Sequence, residues 1–349
     1  MPKSSKKTEG SFSDTFRRTK SQTQQRIRAF LDRRPHRSFR RTRRRDYIRP
    51  LTLPNYFSFN FFVTKTLLQY KSVFIWLVIV YAALTVAFLG LGSQQAFANL
   101  TDTLQETGAQ VFEGNVGEIG KAGLLFASIA TTGLNETPTE VQQLLAIIFI
   151  VLAWLTTVWL LRNLLAGHKV RFRDGLYSAG APIVPTILLS LLLLIQFLPL
   201  AIALIGYAAA AGSGLLDGGI EAMLFWCAAG FLTVLSLYWA TSTFFALVII
   251  TLPGMYPMRA LRMAGDMVLG RRTTIFLRLL WMVLSVAVIW TIIMIPLILL
   301  TTWLGGVWPV FQSIPVVPIA LLVMSSLTTV WVAAYIYLLY RKVVDNDAA

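Results

Sequence analysis

Six stretches of this chain are each apolar enough and long enough to cross a bilayer, and they limit its fold more than any other feature. They are residues 72–92, 141–161, 183–210, 220–252, 275–300 and 315–340. A hydrocarbon layer about 30 Å thick needs roughly 20 helical residues to span it. Inside that layer each backbone N–H and C=O must find its partner within the protein, so the spans are expected as helices. Composition agrees, because 56% of the 349 residues are hydrophobic and only 13% are charged. An ordinary soluble domain is about a quarter charged. The expected fold class is all-α: a polytopic integral membrane protein with six transmembrane helices over 72–342 and a short C-terminal tail, 343–349.

The connections fix an orientation. One set holds the basic N-terminal segment, then Arg162, Lys169, Arg171 and Arg173, then Arg259, Arg262, Arg271 and Arg272, then Arg341 and Lys342. The alternate set, 93–140, 211–219 and 301–314, holds only Lys121 among basic residues, and its long member is acidic. Positive charge stays on the cytoplasmic side, so both termini are expected inside a cell membrane.

Most of the net charge of +15 belongs to the first 71 residues. Residues 1–54 are too polar to bury a core, so they are expected as a disordered cytoplasmic tail, with a short interfacial helix at "TQQRIRAFLDRR". Residues 55–71, "NYFSFNFFVTKTLLQYK", are expected as an interfacial amphipathic segment whose rings sit at headgroup level. No apolar run occurs within the first 50 residues, so 72–92 is expected to serve as an uncleaved anchor.

Local signals refine this picture. "TPTE" before the second span offers Thr137 as N-cap, Pro138 at the first helical position and Glu140 as the capping-box partner. The fourth run is too long for a straight crossing and is expected to tilt or project. Pro199 and Pro296 interrupt the third and fifth. In the outer connection, Phe97, Leu100, Leu104 and Val111 suit an amphipathic helix, either a lid or a surface helix, and "GLLFASIA" at 123–130 is too short to span. Asn99 and Asn135 open triplets of the glycosylation pattern, which chance also produces. Three times, at 54–92, 165–210 and 253–300, a basic amphipathic segment leads into an outward-going run, so three hairpin-like units are expected.

Catalytic and metal signatures are missing. Cys227 is the single cysteine, so no disulfide forms within the chain, and it reads as a small buried hydrophobe. His36 and His168 lie far apart in basic segments, without metal-ligand spacing. No phosphate-binding loop, nucleophile elbow, zinc-protease helix or dinucleotide fingerprint is found. "GSGLLDGG" at 212–219 reads as a flexible outer turn. The expectation is a non-enzyme without a cofactor. Within the spans, Gln196, Thr233, Ser236, Thr241, Ser242 and Thr243 read as helix–helix glue. Glu221 and Arg278 sit at span ends, where side chains snorkel to the interface.

Two basic clusters are candidate contacts for lipid phosphate: Lys169, Arg171 and Arg173 in "HKVRFRDG", and Arg259, Arg262, Arg271 and Arg272 in "YPMRALRMAGDMVLGRR". In the tail, Arg40, Arg41, Arg43, Arg44 and Arg45 are candidate contacts for anionic lipid or, alternatively, for nucleic acid. The second cluster reads as a helix over 257–270, with Met258, Leu261, Ala264, Gly265 and Val268 on one face and Gly270 ending it.

The stretch "LPGMYPMRALRMAGDMVLGRR" resembles the cytoplasmic signature of the membrane domain attached to some glycerophosphoryl diester phosphodiesterases and of related bacterial six-helix proteins. Pro257, Ala260, Leu261, Leu269, Gly270 and Arg271 fit that pattern, and Ala264 stands where a serine is usual. The resemblance covers about residues 140–340. It implies an accessory helical membrane domain in a bacterial cytoplasmic membrane, without the phosphodiesterase's catalytic domain. Three functions are carried forward: a scaffold or accessory protein engaging anionic lipid or protein partners, a permease for a small or amphipathic solute, and a tether for nucleic acid or ribosomes.

Overall fold

The computed structural model describes residues 51–89, 139–212, 219–308 and 316–348. Among these residues every regular element is a helix. In chain order they are α1 (Tyr56–Gln69), α2 (Lys71–Leu89), α3 (Glu140–Leu165), α4 (Phe172–Ala179), α5 (Ile183–Gly212), α6 (Ile220–Ile249), α7 (Pro257–Val268), α8 (Arg272–Val307) and α9 (Val316–Ala348). Six of them, α2, α3, α5, α6, α8 and α9, are long and apolar enough to cross a membrane. The expected all-α class with six span-length helices is therefore observed. The readings of residues 1–50, of the outer connection up to residue 138 and of the turn at 213–218 lie outside the described residues.

Helix ends differ from expectation where polar partners are distant in sequence. Residues 343–348 are not a tail but the last turns of α9. Val343 is fully buried. Asn346 accepts hydrogen bonds from the Thr52 backbone at 3.3 Å and hydroxyl at 3.0 Å. Asp347 pairs with Arg271. At α3 the cap is Thr139, not Thr137: its hydroxyl accepts from the Gln142 N–H at 3.3 Å, and Gln142 Oε1 accepts from the Thr139 N–H at 3.0 Å. The sequence offers two overlapping capping boxes, Thr137 with Glu140 and Thr139 with Gln142, and the helix uses the later register. Pro199 and Pro296 both lie inside continuous helices.

The element order is short, long, long, three times over: α1–α2–α3, α4–α5–α6 and α7–α8–α9. This matches the three expected units and adds their geometry. Within each unit the two long helices pack as a hairpin. Each short helix packs on a returning helix: α4 on α3, α7 on α6 and α1 on α9. Each outgoing helix also touches the returning helix of another unit: α5 on α3, α8 on α6 and α2 on α9. The last unit thereby closes on the first, and the three hairpins form a ring.

The short helices dock through stripes repeating at about one turn. These are Phe59 and Val63 on α1, Gly175 and Ala179 on α4, and Ala260, Ala264 and Val268 on α7. On α4 the approach is close enough to require a glycine, because a Cβ at Gly175 would lie 2.9 Å from the Leu160 side chain of α3. On α7 the buried face is rotated from the expected one: Ala260 is fully buried and Met258 is 66% exposed. Alanine lets the α7 backbone approach α6 where methionine would hold it away. Gly270 takes φ 81° and ends this element, as its position suggested.

The main apolar core fills one end of the ring, called the base here. It joins Val158–Leu164 of α3, Phe245–Ile250 of α6, Ile275 and Leu279 of α8 and Ala334–Leu339 of α9, with the stripes of α1 and α7. Toward the far end the hairpins hold separate clusters. Tyr81, Ala146, Phe149 and Ala153 join α2 to α3, and Trp290, Met294, Val317 and Leu321 join α8 to α9. Helix α3 is the most enclosed: over its most apolar 18 residues 56% are buried, against 11% over those of α5 and of α6. The α5–α6 hairpin is therefore the one most open to lipid. Its exposed leucines, isoleucines and valines are what a bilayer would cover.

Candidate functional site

The basic residues of the connections converge on the base. Helix α3 ends there at Arg162, whose guanidinium donates to the Thr251 carbonyl at 3.0 Å and to the Thr251 hydroxyl. This bond ties the α3–α4 connection to the α6–α7 connection, so the two predicted clusters share one end of the molecule. Lys169, Arg171 and Arg173 are all exposed. The Arg171 backbone N–H donates to Asp174 Oδ2 at 3.0 Å, so this acid serves the first turn of α4. Arg259 and Arg262 are exposed on α7, away from the alanine stripe that faces α6. These five side chains reach the surface at the base.

Arg271 and Arg272 do not, and here the sequence reading is corrected. Arg271 is 2% exposed. Its Nε donates to the Met267 carbonyl at 2.9 Å, and its Nη2 reaches both carboxylate oxygens of Asp347. It is the clamp between the start of α8 and the end of α9. Arg272 is partly buried, with its guanidinium 3.7 Å from the centre of the Tyr238 ring and an Nη1 donating to the Tyr238 carbonyl at 2.9 Å. Tyr238 lies about three turns before the end of α6, so α7 runs back along α6 and delivers Arg272 to it. Adjacent arginines at a helix start look free in sequence because their partners lie on other helices.

Arg278 was expected to snorkel. Instead it is 6% exposed and turns onto the segment before α1. It donates to the Pro54 carbonyl, and the Tyr56 ring covers it at 4.1 Å. Its own carbonyl accepts from the Tyr335 hydroxyl at 3.1 Å. An arginine on a long apolar helix was the available signal. The contacting residues, more than 200 positions earlier, were not readable from spacing.

Of the polar residues inside the spans, Gln196, Ser236 and Thr243 join helices as expected. Ser236 Oγ donates to the Gln196 carbonyl at 2.6 Å and accepts from the Leu200 N–H at 3.1 Å. Those are the two backbone groups that a regular helix joins directly, and they bracket Pro199, so a hydroxyl from α6 sits in the α5 ladder next to its proline. Thr243 Oγ1 donates to Gln196 Oε1 at 2.7 Å. Thr233, Thr241 and Ser242 bond to carbonyls of their own helix. Cys227 is exposed, not buried, in the half of α6 far from the base, where Ala222 alone is buried. Among the described residues no three His, Cys, Asp or Glu side chains lie together as a metal site would require.

Compared with known proteins, the chain matches no family, no curated protein and no solved structure.

Proposed function

We propose that this six-span protein is a non-enzymatic membrane scaffold or accessory protein that engages anionic lipid through its base. The observation that carries the reading is the exposure of Lys169, Arg171, Arg173, Arg259 and Arg262 at one end of an apolar bundle. Thr52 bonded to Asn346 puts the described start and end of the chain at that same end. By the positive-inside rule the base is cytoplasmic, which gives the N-in, C-in topology and offers these five residues to the anionic lipid of the inner leaflet. Each basic residue near such a surface contributes about 1 kcal/mol. Kinship with the phosphodiesterase-associated membrane domain is part of this proposal. Its signature residues Ala260, Gly270 and Arg271 here build the docked face, the turn and the clamp of α7 and α8.

A permease would need a polar path through the bundle. The base is filled by apolar side chains, and the serine, threonine and glutamine groups of α5 and α6 are spent on one another and on backbone. That arrangement favours the scaffold reading. The nucleic-acid reading rests on Arg40, Arg41, Arg43, Arg44 and Arg45, which lie outside the described residues.

The test uses full-length protein in phosphatidylcholine nanodiscs. It should capture phosphatidylglycerol vesicles at low salt and release them at high salt. Neutralising Lys169, Arg171, Arg173, Arg259 and Arg262 to glutamine, or deleting residues 1–50, should each weaken capture while the melting temperature holds. Capture that is equally strong on phosphatidylcholine vesicles would overturn the proposal.

A further inference from the structure

Three N–H-bearing atoms at the seam between α1 and α8 have no acceptor: Arg278 Nε, Arg278 Nη1 and Trp281 Nε1. All three are buried, and Arg278 as a whole is 6% exposed. Its remaining nitrogen, Nη2, goes to the Pro54 carbonyl. Among the described residues no carboxylate pairs with Arg278, while Asp347 at the same end of the bundle is taken by Arg271. A buried guanidinium without a counter-charge is costly, and so is each buried donor left unmade. The seam therefore presents donors and positive charge in a place that calls for an anion.

The surroundings say which kind. Tyr56 covers the guanidinium at 4.1 Å, and the Phe57 ring meets Trp281 edge-on at 4.9 Å. Around them Phe57, Phe61, Leu277, Leu280 and Leu284 are 48–76% exposed, an apolar rim facing the bilayer. Arg278 lies six residues beyond Arg272, roughly 9 Å along α8. Arg278 therefore lies near the base end of this span-length helix. An arginine fork suits phosphate, and the apolar rim suits acyl chains.

We infer that the α1–α8 seam binds the phosphate of an anionic phospholipid from the leaflet at the base. Arg278 Nε, Arg278 Nη1 and Trp281 Nε1 donate to its oxygens, and the acyl chains lie along the apolar rim. The donors are closed off in this structure, so the headgroup enters by displacing the Tyr56 and Phe57 rings, which are exposed on their other faces. This site shares with the proposed function only its anionic lipid. None of the five exposed basic residues takes part.

Native mass spectrometry of the full-length protein in detergent tests it, with phosphatidylglycerol, phosphatidylcholine and inorganic phosphate as probes. Wild type should retain one phosphatidylglycerol in preference to phosphatidylcholine, and inorganic phosphate should not displace it. Arg278→Gln should lower retention by about tenfold, in the range of a lost charged hydrogen bond, and Trp281→Phe by about threefold. Arg259→Gln with Arg262→Gln should weaken vesicle capture and leave the retained lipid unchanged, which separates this site from the exposed surface. If Arg278→Gln does not fold, Trp281→Phe decides alone, because it keeps the ring and removes only the donor. Retention unchanged in the folded seam variants overturns the inference. Displacement by inorganic phosphate overturns it too, since the site would then belong to a soluble anion.

Discussion

Asp347→Asn should destabilise the bundle although it alters one atom near the end of the chain. Arg271 and Asp347 are unequally enclosed: the arginine side chain is 1% exposed and the aspartate 33%. Removing the carboxylate charge leaves Arg271 buried without its counter-charge, with its Nη1 already without a partner and its Nε held by the Met267 carbonyl. Breaking a fully buried pair costs about 3–5 kcal/mol. Here a third of Asp347 faces solvent and asparagine keeps one acceptor, so the expected loss is about 2–3 kcal/mol. Arg271→Met should cost less, about 1 kcal/mol, because the Asp347 side chain is 33% exposed and can hydrate. Equilibrium unfolding in mixed micelles measures both, and the double variant gives the coupling energy. Hydrogen exchange at Val343 to Asp347 should quicken in Asp347→Asn before the rest of α9 responds. A loss under about 0.5 kcal/mol, the range of an ordinary surface substitution, would refute the clamp. So would an Arg271→Met cost equal to or above that of Asp347→Asn.

Three further predictions concern packing and topology. Gly175→Ala should lower stability by about 1–2 kcal/mol, because overpacking against Leu160 exceeds the gain in helix propensity; a stabilised variant in a thermal melt would show that α4 has room to move. Ser236→Ala should cost about 1 kcal/mol, the scale of an interhelical hydrogen bond in a membrane, and an unchanged unfolding curve would remove the hydroxyl from its place beside Pro199. In a Cys227→Ser background, Asp345→Cys should react with an impermeant maleimide only in inverted vesicles and Ile220→Cys only in right-side-out ones, and labelling of both from one side would contradict the topology.

What the sequence revealed follows the range of the forces involved. Burial of backbone in hydrocarbon depends on composition alone, so the six spans were readable from 20-residue windows. The unit repeat was readable because each short amphipathic segment adjoins its span. Gly270 was readable because a left-handed turn is a local need. The fates of Arg271, Arg272 and Arg278 were not, since an arginine at a helix start has the same local pattern whether it meets water, a carboxylate on α9 or a ring on α1. Two equivalent capping boxes two residues apart left the start of α3 undecided until the whole helix was placed. Cys227 and Met258 were misjudged for one reason: beside a bilayer an apolar residue has two sheltered destinations, and only the neighbouring helices decide between protein and lipid.

The closure of α1 onto α9 has a consequence for the order of synthesis. The first short helix described docks on the last long one, so α1 leaves the ribosome well before α9 and waits for it before its buried face is covered. Thr52 and Asn346 are already within hydrogen-bond reach. Joining Asn346 to Thr52 and opening the chain at Tyr70, between α1 and α2, would therefore keep every helix and its direction, and would let each short helix follow its docking partner out of the ribosome.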